Sequence, residues 1–346
     1  MKKLLKYLSP FAPDDSGACS VMYELGGITV ICDAGGCTGN VCGFDEPRWH
    51  EKKSALFSAG LRDMDAILGR DDMLVKKLAK VCTQVPAEFT AIIGTPVPAV
   101  IGTDFKALER MSEKATNLPC IAVETTGTNY YDKGEEKAYY ALFEKFAVEK
   151  FPMKKGKVGI IGATPLDTGF THAKDVTRGM NFEEIVCFGM DSGLDEIRRA
   201  SECEFIFVIA PSGIKSAKLL KERFGIPYID NYFCNIPSEI LGQIEDLWGK
   251  NVLIVHEQFA ANYLRGWTES GNNVDCATWF MFLEEYAKEN DFRIKSEEDF
   301  LQKIQEREYD VIIADNNFKR LLKHWDGQFI PFPHYAVSAE LRNDRC

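Results

Sequence analysis

From about residue 71 onward, short β-branched runs alternate with longer segments of helical period, and this alternation restricts the chain to few architectures. Strands that alternate with helices pair in parallel and are covered by the helices between them. The expected strands are Phe89–Gly94, Leu118–Val123, Lys157–Gly162, Ile185–Phe188, Glu204–Ala210, Val252–His256 and Asp310–Ala314. Upstream, the apolar run Ile28–Ile31 delivers the chain to a glycine-rich loop. Leu74, Leu78, Val81 and Cys82 share one helical face, which reads Cys82 as core. Ser192-x-x-Asp195 and Ser296-x-x-Asp299 resemble capping boxes ahead of helices, with Asp in place of Glu or Gln. Gly225-Ile226-Pro227 ends another helix before a further short strand.

The fold class is therefore α/β, with three Rossmann-like units of parallel sheet flanked by helices. The boundaries are expected at the basic segment Phe151–Gly156 and at Trp248-Gly249-Lys250, giving units at 1–152, 153–248 and 249–346. At 45% apolar residues, 346 residues suffice for several cores. A net charge of 41 − 52 = −11 argues against nucleic acid or an anionic membrane as partner. No run approaches the roughly 18 apolar residues of a membrane span, and the first residues carry no apolar stretch of signal-peptide length, so a cytoplasmic protein is expected.

Thiols stay reduced in that compartment, so 11 cysteines are not a disulfide frame. Their distribution is uneven: Cys19, Cys32, Cys37 and Cys42 fall close together, while the other seven are scattered. Clustered thiols point to metal chemistry, and glycines beside them let backbone N–H groups approach the sulfurs of an iron–sulfur cluster. Cys37 follows Gly35-Gly36, and Cys32, Cys37 and Cys42 are spaced five apart. Zinc usually shows paired short C-x2-4-C knuckles, and none is present. Cys32 and the scattered thiols read as small packing residues.

These residues carry a resemblance. Gly36-Cys37 after an apolar strand, Cys19 upstream and Leu61-Arg62-Asp63-Met64-Asp65 downstream resemble the nitrogenase component 1 family. Ile92-Ile93-Gly94-Thr95-Pro96, Ile101-Gly102-Thr103-Asp104, Leu118–Gly127 and Arg223-Phe224-Gly225-Ile226-Pro227 extend the similarity in order along most of the chain. Glu46-Pro47-Arg48-Trp49 is similar to the protochlorophyllide reductase branch.

The resemblance implies a 4Fe-4S cluster at a homodimer interface, held by Cys19 and Cys37 of each chain beside Gly36, with Cys42 replacing or supplementing one of them. The family's third cluster cysteine falls at Thr95, which argues against an eight-iron cluster. No thiol stands near Ile209–Gly213, where the iron–molybdenum cofactor would be anchored. The chain has no P-loop sequence, so the resemblance implies a separate ATP-dependent iron–sulfur donor. The implied reaction is reduction of an unsaturated small molecule or a tetrapyrrole-like substrate in a cleft between the units. Such clefts lie beyond the carboxyl ends of strands. Thr95, Thr125, Thr126 and Ser212 are the expected lining. His256 and His334 are candidate proton donors, because an imidazole titrates near neutrality. A scaffold for cluster assembly and a cluster-free binding protein of the same fold are the alternatives.

Overall fold

The computed structural model describes residues 5–230 and 236–342. Cys234 and Cys346, two of the scattered thiols, lie outside the described residues. The first sheet contains β1 (Ile28–Ile31), β2 (Ala55–Ser58), β3 (Thr90–Ile93) and β4 (Cys120–Val123) in the order β2-β1-β3-β4. The second contains β5 (Lys157–Ile161), β6 (Glu184–Cys187), β7 (Phe205–Val208) and β8 (Tyr228–Asp230), ordered β6-β5-β7-β8. The third contains β9 (Asn251–Val255), β10 (Asn273–Thr278), β11 (Phe292–Arg293), β12 (Val311–Ala314) and β13 (Gln328–Pro331), ordered β11-β10-β9-β12-β13. Every pairing within these sheets is parallel.

All seven expected strand segments, and the Ile28–Ile31 run, appear as strands. Of the interior strands, β1, β3, β5 and β12 are buried throughout, and burial on both faces produces the unbroken apolar runs visible in sequence. The sequence reading missed β2, β10, β11 and β13. In β10, Asp275 interrupts the apolar pattern because it accepts hydrogen bonds from Arg307 Nη1 (2.8 Å) and Tyr309 Oη (2.6 Å). The capping expectation at Ser192 is corrected. Gly193 is the N-cap there, its N–H donating to Glu196 Oε2, while Ser192 Oγ accepts from Gly189 N–H. At Ser296 the cap forms, with Oγ accepting from Asp299 N–H at 3.1 Å. Cys82 is half-buried against the first sheet's core rather than enclosed in it.

One apolar cluster runs through all three sheets, including Ile31, Ile160 and Ile254. Helix Tyr131–Phe146 lies within this cluster, burying Ala138, Tyr139, Leu142 and Phe143. Against it packs helix Asp14–Met22, every residue of which is buried. Two glycines permit that contact. A Cβ on Gly17 would stand 2.0 Å from the Tyr131 carbonyl oxygen, and one on Gly134 would stand 1.7 Å from that of Asp14. The helices therefore meet backbone to backbone, and this crossing fixes the position of Cys19.

Candidate cluster site and buried acid centre

Helix Asp14–Met22 begins with Pro13 as N-cap and two acids in its first turn, where they complement the helix dipole. Asp14 Oδ2 accepts from Thr126 N–H (3.0 Å) and from Asn129 Nδ2 (3.2 Å). Burial raises the Asp15 carboxyl to about 7. One turn on, Cys19 is 1% exposed, and burial pushes its thiol well above the usual range. Glu46 pushes the same way, while Arg48 opposes them.

Cys37 sits on the short helix Gly36–Asn40 that follows β1. Asp33 shapes this loop, accepting from Thr38 N–H (2.8 Å), Thr38 Oγ1 (3.0 Å) and Ser58 Oγ (2.6 Å). Gly35 holds a φ of +119°, which strongly favours glycine. A Cβ at Gly35, Gly36, Gly39 or Gly43 would meet nothing within 4 Å, so the loop presents an open backbone face. Cys37 is half-buried, packs against the cluster containing Cys19, and is pushed up to about 11 by burial and then by Asp15 and Asp33. Cys42 lies on the following turn, Val41–Asp45, half-buried and electrostatically coupled to Cys19. The turn is tied down by Ser16 Oγ donating to Asp45 (2.6 Å) and Tyr335 Oη donating to the Phe44 carbonyl (2.6 Å). Cys32 is different: its backbone continues the β1–β3 pairing and its buried thiol is raised to about 12.

The Glu46–Trp49 segment is a buried clasp. Arg48, 1% exposed, donates to Glu46 (2.6 Å), to the Ser20 carbonyl (2.7 Å) and to the Gly189 carbonyl (2.8 Å). It thereby joins the helix of Cys19 to the loop after β6.

The expected cleft residues make local contacts. Thr95 lies beside Cys37, its Oγ1 donating to the Cys32 carbonyl at 2.7 Å. Thr125 Oγ1 donates to the Gly94 carbonyl (2.6 Å), and Thr126 holds Asp14. Ser212 lies next to Glu135.

His256 and His334 are brought together, stacked with ring centroids 4.1 Å apart. The expectation that they titrate near neutrality is corrected. Burial lowers His256 to about 3 and holds His334 well below the usual value, so both are neutral imidazoles. Around them lie Glu257 and a group the sequence reading missed, Tyr131, Asp132, Glu135 and Asp167, all buried. Tyr131 Oη is 2.6 Å from Asp167 Oδ1 and 2.9 Å from His334 Nε2. Thr164 Oγ1 donates to Glu135 Oε1 at 2.5 Å. Burial raises the Glu135 and Asp167 carboxyls. The available signal was Glu135 on the apolar stripe Tyr131, Ala138, Tyr139 and Leu142 of one helix face.

Among the described residues, no group of three or more His, Cys, Asp or Glu is placed to hold a metal ion. Residues 17–252 match the model of the nitrogenase component 1 type oxidoreductases. The chain belongs to that family.

The curated relatives it matches include assembly proteins and nitrogenase subunits. It is 24% identical over 238 residues to the nitrogenase iron-molybdenum cofactor biosynthesis protein NifE of Klebsiella pneumoniae, covering 62% of this chain and 52% of that protein. Against the nitrogenase molybdenum-iron protein alpha chain of Methanothermobacter marburgensis, identity is 25% over 205 residues, covering 58% and 42%. The family member thus spans about half the length of the relatives it matches. Its fold is that of a solved nitrogenase, Cp1 at pH 6.5, with a TM-score of 0.71 and 12% identity, covering 96% of this chain and 87% of that one.

Proposed function

We propose that this chain is a nitrogenase-like oxidoreductase subunit whose Cys19 and Cys37, contributed by each of two identical chains, hold one 4Fe-4S cluster. The observation that carries the reading is Cys37 on an open glycine loop, packed against the same apolar cluster that buries Cys19, with Asp15 beside both thiols. Two thiols per chain make four across a two-fold axis, the number such a cluster needs. Cys42 is close enough to Cys19 to serve as a substitute ligand. Exposed apolar residues supply a surface for the second copy: Phe44 beside the loop, Ile67 on helix Asp63–Leu68 and Val100 on the neighbouring helix Pro96–Ile101. A C2 contact would make that surface self-complementary.

When bound, the cluster would take low-potential electrons one at a time from a separate ATP-dependent iron–sulfur donor. The protein's own part is to exclude water from the thiols, orient Cys37 through Asp33, and bind an unsaturated small molecule between the sheets. The proposed units remain 1–152, 153–248 and 249–346, with a cytoplasmic setting. Among the described residues, no helix is long and apolar enough to cross a membrane.

A second reading, a scaffold on which a cluster is assembled, is favoured by the names of the NifE relatives. Anaerobic turnover with an ATP-dependent donor and candidate unsaturated substrates separates the two. Electron consumption matched by reduced product supports the oxidoreductase. Transfer of the intact cluster to an apo-acceptor without product supports the scaffold.

A further inference from the structure

Four acids lie buried where the segments after β5 and β9 meet the first turn of helix Tyr131–Phe146. Two are compensated by backbone donors. Glu257 accepts from Phe259 N–H (2.8 Å) and Ala260 N–H, and Asp132 accepts from Lys133 N–H (2.9 Å) and Met281 N–H. Glu135 and Asp167 are not. Glu135 Oε2 and Asp167 Oδ2 are buried and accept no well-formed hydrogen bond among the described residues, Ser212 lies beside Glu135, and the two carboxyl groups adjoin each other. An ionised carboxylate only accepts, so a bond between two carboxyls requires a proton on one of them. Two adjoining buried carboxyls do not both ionise.

We propose that Glu135 and Asp167 share one proton and head a relay through Tyr131 to His334, forming a proton-donating site between the sheets that is separate from the thiol loop. The Tyr131 hydroxyl has one hydrogen and two polar neighbours, Asp167 at 2.6 Å and His334 Nε2 at 2.9 Å. His334 gives its other ring N–H to the Leu166 carbonyl, so in the neutral ring Nε2 accepts from Tyr131 and Asp167 donates to Tyr131; in the alternative, Tyr131 donates to Asp167 and His334 carries a second proton on Nε2. The two arrangements differ by protons moved along the string. His334 stacks on His256, whose Nε2 faces the Pro333 carbonyl at 3.4 Å. A carbonyl only accepts, so the His256 ring proton stays on Nε2. Nδ1 is left as a buried acceptor with no donor, in a residue 3% exposed. The string therefore ends beside an acceptor that a ligand N–H or O–H would satisfy. Tyr131, Asp132 and Tyr139 on the same helix, Glu257 from the third sheet, Arg48 facing Tyr139 and Arg342 facing His256 complete the charged surroundings.

The role rests on the oxidoreductase reading; the shared proton does not. Reduction of a double bond takes two electrons from the low-potential donor and two protons. The π bond breaks and two bonds to hydrogen form. The pair supplies protons one at a time and is refilled from water.

The test is infrared spectroscopy of the isolated, metal-free protein in H2O and D2O at neutral pH. The account expects the carbonyl stretch of a protonated carboxyl, sensitive to D2O and absent from Glu135→Gln. Thr164→Val removes a donor to Glu135 but keeps the pair, so it must shift the band without abolishing it, which covers the case of a Gln variant that does not fold. Tyr131→Phe should keep the band and slow its deuterium exchange about tenfold. A wild-type spectrum without such a band overturns the shared proton, and unchanged exchange in Tyr131→Phe overturns the relay. An intact band and relay in a protein that reduces nothing would count against the oxidoreductase reading alone.

Discussion

Gly134→Ala tests how the Cys19 helix is held. The new methyl would lie 1.7 Å from the Asp14 carbonyl oxygen, 2.6 Å from its carbon and 2.9 Å from Ala18 N. Ordinary van der Waals contact begins near 3.4 Å, so the helices must separate by well over 1 Å. Backbone atoms in a buried crossing cannot swing aside as a side-chain tip does. Overpacking costs about 1–3 kcal/mol, and a backbone clash belongs at the upper end, about 3 kcal/mol. Alanine recovers about 1 kcal/mol as a better helix former. The net loss is about 2 kcal/mol, a fall in urea midpoint of roughly 0.6 M for a slope of about 3 kcal/mol/M. Gly266→Ala is the matched control: it is helical, exposed, and its methyl would meet nothing within 4 Å, so it should gain up to about 1 kcal/mol. The assay is urea unfolding of both variants, followed by iron loading of the folded Gly134→Ala protein, which should fall because Cys19 rides on the displaced helix. Equal stability of Gly134→Ala and wild type would refute the crossing.

Other predictions follow from the same geometry. Arg48→Met strands the buried Glu46 carboxylate and should cost about 3–5 kcal/mol in chemical denaturation, more than truncation of an exposed pair such as Lys76–Asp72. The lowered pKa of His256, from 6.5 to about 3, makes the unfolded chain bind the extra proton between those values, so its contribution to stability is full above pH 6.5 and is lost as pH falls toward 3. His256→Phe should therefore flatten the acid limb of a stability-versus-pH curve over that window, and an unchanged limb would contradict it. Ile67→Asp and Val100→Asp should abolish dimers in sedimentation equilibrium without lowering monomer stability, because both side chains are largely exposed in one chain.

The architecture was legible wherever burial on both faces wrote an unbroken apolar run, as in β5 and β12. It was illegible where partners distant in sequence satisfied a polar residue, as Arg307 and Tyr309 do for Asp275 in β10. The thiols Cys19, Cys37 and Cys42 were legible because they are close in sequence and flanked by glycine. The depth of Cys19, set by the helix crossing at Gly17 and Gly134, was not. His256 and His334 were picked out by residue type, but for a property that burial removes. Glu135 and Asp167 escaped because single acids in apolar surroundings mean little until the fold opposes them.

The central claim is a cluster shared by two chains, and iron and sulfide analysis with EPR of the anaerobically reconstituted, dithionite-reduced dimer tests it most directly. The account predicts one 4Fe-4S cluster per dimer, about two irons and two sulfides per chain, with the reduced-cluster signal lost in both Cys19→Ala and Cys37→Ala and kept in Cys32→Ala. A folded wild-type protein that takes up no iron, or a full signal surviving in both ligand variants, would contradict it.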